Sequence, residues 1–168
     1  MPETPPILNK THDVAGPLNA EQIRRSVASY FDQLGYEVMA EFTLKTGRRV
    51  DLLAFGPKDE VVIIEIKSSL ADFRADQKWQ SYLEWADRFF FAVAEGFPTA
   101  RLPDASKAGI LITDGYDIAV QQEAPYHKLS GQRRQHLVKR LARTALRRLA
   151  YLSDLGVAVS ASQERNND

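Results

Sequence analysis

A chain of 168 residues, 44% hydrophobic and 26% charged, has the size and composition of one soluble globular domain with a real core. The absence of cysteine excludes disulfides, thiolate chemistry and cysteine-bound zinc, and no apolar run approaches the ~20 residues that span a bilayer. The net charge of zero hides an asymmetry: residues 1–123 carry a net −6, whereas Ala124 to Ser153 hold eight Lys/Arg and no Asp or Glu, so the overall balance says nothing against a polyanionic partner.

Residues 1–16, opening on the proline-rich "MPETPPILNK", are expected to be disordered and lack the apolar core of a signal peptide, which points to the cytoplasm. The first helix is expected in "PLNAEQIRRSVASYFDQLGYE", with Asn19 as N-cap, an apolar face of Ile23, Val27, Tyr30/Phe31 and Leu34, and Gly35 as its stop. "YEVMAEFTL" alternates as a half-buried strand, Lys45-Thr46-Gly47 turns the chain, and Arg49 to Phe55 is the next strand. "GPKDE" is a hairpin turn leading into Val61 to Lys67. Helical spacing then runs from about Leu70 or Asp72 to Asp87, and "RFFFAV" is a buried strand. "AGILIT" and "YDIAVQ" supply two more strands around an Asp114-Gly115 turn, and a helix from about Ser130 to Leu152 closes the domain. Its expected inner stripe is Leu137, Leu141, Ala145, Leu149 and Leu152. The sum is an α/β fold around a mixed sheet.

Two of the most apolar strands carry charge where burial is expected: Asp51 interrupts Val50 to Phe55, and Glu65-Ile66-Lys67 follows Val61 to Ile64. Side chains two apart on a strand point the same way, so Glu65 and Lys67 share a face. If the hairpin pairs the two strands, Asp51 joins them. Two buried carboxylates against one ammonium leave negative charge uncompensated, and a divalent cation with oxygen ligands answers that demand. The alternative is a solvated Glu65–Lys67 pair worth ~0–1 kcal/mol.

The closing helix displays Arg133, Arg134, Lys139, Arg140, Arg143, Arg147 and Arg148 around its apolar stripe. Phosphate contact by Arg133, Arg134, Arg140, Arg143 and Arg147 is one reading, with affinity falling steeply in salt. A solvated helix surface, with arginine stems covering apolar area, or a protein interface is the other. Trp79, Tyr82, Trp85 and Phe89-Phe90-Phe91 read as core, with Trp79 kept open as a stacking residue. His12, His127 and His136 have no ligand spacing, and no glycine-rich phosphate loop exists, which argues against a nucleotide cofactor.

Asp51, thirteen residues, then Glu65-Ile66-Lys67, set strand-turn-strand after a helix, resembles the PD-(D/E)XK nuclease superfamily. More narrowly, "RRVDLLAF", "VIIEIKSSLADFRADQKWQSYLEWADRFFFAV" and the basic last helix resemble the MmcB-like family of bacterial DNA repair proteins, over roughly residues 18–150. The resemblance implies a restriction-endonuclease-like αβββαβ core in a domain of residues 17–155; the polar end of the chain, residues 156–168 with "SASQERNND", reads by its composition as a flexible tail. It implies Asp51 and Glu65 as ligands of Mg²⁺ or Mn²⁺ and Lys67 as the catalytic lysine, with Glu21 on the first helix as a further ligand. Gln77 and Lys78 would be accessory active-site residues, and Val50 stands where the nominal proline would. The activity implied is metal-dependent hydrolysis of DNA phosphodiesters in repair, compatible with a homodimer because duplex cleavage often needs two sites. A non-catalytic DNA-binding or scaffold protein on the same fold is the competing class, and an RNA nuclease is less favoured.

Overall fold

The computed structural model describes residues 17–154. The segments expected to be disordered or flexible, 1–16 and 156–168, lie outside the described residues. The first helix, α1 (Ala20–Gln33), starts at Asn19 in a capping box: the Asn19 side chain accepts the Gln22 N–H, and the Gln22 side chain accepts the Asn19 N–H. It ends in a Schellman motif, where Gly35 (φ 80) turns the chain so that Tyr36 N–H reaches the Phe31 carbonyl and Gly35 N–H reaches that of Asp32.

Three antiparallel strands follow, β1 (Glu37–Thr43), β2 (Arg49–Phe55) and β3 (Val61–Lys67). The chain crosses through α2 (Leu70–Ala75) and a 3₁₀ segment, Trp79–Trp85, to β4 (Arg88–Ala94), parallel to β3. Next come β5 (Gly109–Thr113), parallel to β4, and β6 (Ile118–Gln122), antiparallel to β5, before α3 (Gly131–Asp154). The strands lie in chain order in one six-stranded mixed sheet flanked by helices, as a restriction-endonuclease-like αβββαβ core with added strands requires.

The period of two sorts the core. Leu52, Ala54, Ile64, Ala92 and Leu111 pack under Ile23, Val27 and Phe31 of α1. Leu53, Ile63, Phe89, Phe91 and Val93 face the other way, against Trp79, Tyr82 and Leu137. Trp79 is a core residue: it stacks on Phe89 with ring centroids 5.8 Å apart and keeps 6% of its surface exposed. All seven residues of β3 are buried, since helices cover both its faces and strands flank both its edges.

Three expectations change. Simple alternation in β1 fails at Glu41, whose backbone is left-handed (φ 51), so Met39 and Phe42, three apart, meet the same core. The single helix expected to Asp87 is broken at Asp76, which leaves the helical region (φ −88, ψ 93). In α3 only Leu137 is buried and Leu141 half-buried. Leu149 and Leu152 are 46% and 44% exposed.

Candidate active site

Backbone pairing between β2 and β3 runs from Phe55–Val61 to Leu52–Ile64 and stops. The next register step would pair Asp51 with Glu65, but there the strands part. The two carboxylates fill the gap. Asp51 Oδ2 accepts the Ile66 N–H at 2.8 Å, and Glu65 Oε1 accepts the Asp51 N–H at 3.2 Å. The charges that looked misplaced at the ends of buried strands thus satisfy backbone donors freed by the fork.

Lys67, two residues beyond Glu65, brings its Nζ to 3.7 Å from Glu65 Oε2 and 2.8 Å from Asp76 Oδ2. Glu65 and Lys67 each keep 5% of their surface exposed. Burial first, and the neighbouring Asp51 charge second, push the Glu65 carboxyl up to about 8. Burial also raises Asp51, despite the Ile66 N–H and Lys67, with Asp72 and Asp76 adding repulsion. For Lys67, burial pulls down, but the Asp76 hydrogen bond and the surrounding carboxylates outweigh it, and the ammonium is held above its ordinary value. Tyr82 closes the floor, its hydroxyl donating to the Arg49 carbonyl at 3.2 Å, and its own ionisation is pushed up to about 12 by burial and by Glu65, Asp76 and Asp51.

Asp76 escaped sequence reasoning. It lies nine residues from Lys67, inside what reads as one continuous helix, and no spacing rule links a strand end to a residue beyond the next helix. Three other expected members sit elsewhere. Glu21 lies on α1, which packs on the sheet face opposite Glu65 and Lys67, and its carboxylate is held by Arg24 and Arg25. It is no part of the carboxylate pair. The Gln77 side chain caps α2 by donating to the Arg74 carbonyl at 2.8 Å rather than reaching the carboxylates. Lys78 joins the cluster through its main chain, its N–H donating to Asp76 Oδ1 at 3.0 Å, while its side chain is exposed.

The sequence profile described as "DNA repair protein MmcB-like" matches residues 9–156, nearly the whole chain. The chain belongs to the MmcB-like family. A solved structure similar to this MmcB-like chain, a Silicibacter pomeroyi protein of unknown function, is 41% identical, covering 89% of this chain and 99% of that one with a TM-score of 0.76. Among curated proteins, none matches. Among the described residues, no helix is long and apolar enough to cross a membrane.

The donor set of this MmcB-like site fits a hard divalent cation of the Mg²⁺ type. Its side-chain donors are carboxylate oxygens, and both carboxyls are driven toward their protonated forms by burial, with the Asp51 charge adding to it at Glu65. No group of three or more His, Cys, Asp or Glu arranged for a metal occurs among the described residues, so Asp51 and Glu65 would hold such an ion as a pair, leaving the rest of its shell to water.

The arginines of α3 divide in two. Arg134 clasps the buried Asp87 at 2.7 Å and donates to the Asp59 carbonyl, Arg133 pairs with Glu84 at 2.9 Å, and Arg140 donates to the Thr43 carbonyl at 2.6 Å. Arg148 donates to the carbonyls of Ala40 and Glu41, at the left-handed kink of β1. These four anchor the helix. Arg143 and Arg147 are exposed and make no such contact among the described residues, where they alone of the five arginines expected on phosphate are unengaged.

Proposed function

We propose that this MmcB-like protein is a divalent-metal-dependent phosphodiesterase that hydrolyses DNA during repair. Membership of a DNA repair family supports the setting. The observation that carries the chemistry is the fork between β2 and β3, where Asp51 accepts the Ile66 N–H and Glu65 accepts the Asp51 N–H, with the Lys67 ammonium 3.7 Å from Glu65.

Asp51 and Glu65 would hold Mg²⁺ or Mn²⁺, and a cation bound there supplies polarisation of a phosphoryl oxygen and a lowered pKa for a bound water. Lys67 keeps its proton, because its partners favour the charged form. It therefore serves as a donor toward the phosphate or the charge that develops on it, not as a base. Tyr82 and the Ile66 and Asp51 N–H groups fix the geometry, and Trp79 and Phe91 pack edge to face at 5.4 Å in the core on the same side of the sheet. Arg143 and Arg147 would grip the DNA backbone without reading bases.

The test compares wild type with Lys67→Ala on duplex and single-stranded DNA and on matched RNA, with and without Mg²⁺. The expected result is metal-dependent DNA cleavage that falls by roughly 10²-fold or more in the variant while DNA binding persists. Binding without cleavage by wild type under any metal would favour the non-catalytic reading, and equal or faster RNA turnover would count against DNA as substrate.

A further inference from the structure

Lys67 has two carboxylates in reach, and they are not equivalent: its Nζ is 2.8 Å from Asp76 and 3.7 Å from Glu65. Asp76 is built to hold its place. It follows the last residue of α2, its N–H donates to the Phe73 carbonyl, and its Oδ1 accepts the Lys78 N–H at 3.0 Å, which leaves Oδ2 for the ammonium. Arg48 fastens the same segment to the start of β2 by donating to the Lys78 carbonyl at 3.0 Å and to the Ser81 hydroxyl. An anion fixed by backbone bonds at the break of a helix thus faces the one buried amine among the described residues.

We propose that Asp76 is a positioning residue that draws the Lys67 ammonium off Glu65, so that the Asp51–Glu65 pair stays open to a divalent cation while the amine stands beside it. The inference rests on the cation reading above. Without the Asp76 charge the nearest carboxyl oxygen to Nζ is Glu65 Oε2 at 3.7 Å, and a shift of about 1 Å makes a full charge-assisted hydrogen bond there. That contact would compete with the cation for one of its two carboxylates. Asp76 touches neither cation nor substrate; it acts through Lys67.

The experiment measures Mn²⁺ affinity by electron paramagnetic resonance for the wild-type chain, Asp76→Asn, Lys67→Met and the double variant, alongside DNA cleavage. Asparagine can still cap the Lys78 N–H, so the fold is expected to survive. Affinity should fall about ten- to a hundredfold in Asp76→Asn, and should return to at least the wild-type value in the double variant, where no ammonium competes. A purely structural role for Asp76 would not be rescued by removing Lys67. Unchanged affinity in Asp76→Asn, or a loss that Lys67→Met does not reverse, overturns the proposal. If Asp76→Asn does not fold, Asp76→Ser, whose hydroxyl keeps a cap for the Lys78 N–H, is read the same way. Absence of Mn²⁺ binding in the wild type would remove the cation reading and this inference together, whereas normal wild-type binding with an unaffected variant removes the inference alone.

Discussion

Glu65 is the residue whose burial is hardest to sustain, and its behaviour with pH follows. Its folded carboxyl, pushed up to about 8 from a value of 4.5, favours the protonated form. Stability from that preference is full below the unfolded value and is lost as pH rises through about 8. The metal-free protein should therefore melt at progressively lower temperature between pH 5 and 9. Glu65→Gln should flatten that dependence and be more stable than wild type at pH 8.5 by on the order of 2 kcal/mol. Mg²⁺ should bind more tightly as pH rises toward 8, because the proton it displaces becomes easier to remove, and should raise the melting temperature most at the alkaline end. A wild-type melting curve indifferent to both pH and Mg²⁺ would contradict this account of Glu65.

At the scale of the element, α3 is held by arginines along its length, while the apolar residues of its second half stay exposed. Arg134 sits over Asp87, which keeps 1% of its surface exposed and also accepts the N–H groups of Val61 and Leu129. Arg134→Ala strands that carboxylate, and chemical denaturation should show a loss of about 2–3 kcal/mol, since two backbone donors still serve it. Arg143→Ala and Arg147→Ala should leave stability within about 0.5 kcal/mol of wild type. Each should instead reduce the slope of DNA affinity against salt by about 1. Sequence periodicity located α3 and most other elements because its apolar residues recur at helical steps. It could not tell which arginines reach carbonyls on β1, because such bonds depend on where the helix crosses the sheet. The break at Asp76 was equally hidden: "ADFRADQKW" keeps helical spacing, and only the pull of Lys67 and the Lys78 N–H shows why the chain leaves the helix there.

The whole molecule is one sheet with two dissimilar covers. Under α1 lies an apolar core, whereas the opposite face carries aromatic packing at its centre and the charged fork at its rim. Phe91 joins the two, meeting Trp79 at 5.4 Å and Phe73 at 5.4 Å one strand away from Glu65, to which it is register-paired. Phe91→Ala should cost about 3–5 kcal/mol in stability, measured by chemical denaturation, through the cavity it leaves. Strand parity made the shared face of Glu65 and Lys67 legible in advance, and the turn after Phe55 made Asp51 their neighbour. Long-range placement set the rest: Glu21 is on a helix, as expected, but on the wrong side of the sheet, and Asp76 enters from a segment no local pattern ties to β3.

The most direct test is anomalous scattering from crystals of the full chain soaked in Mn²⁺. One peak is expected at the β2–β3 fork, about 2.1 Å from a carboxylate oxygen of both Asp51 and Glu65, with Lys67 still bonded to Asp76. A fork without a peak, or an ion bound by either carboxylate alone with the other turned away, would contradict the cation reading.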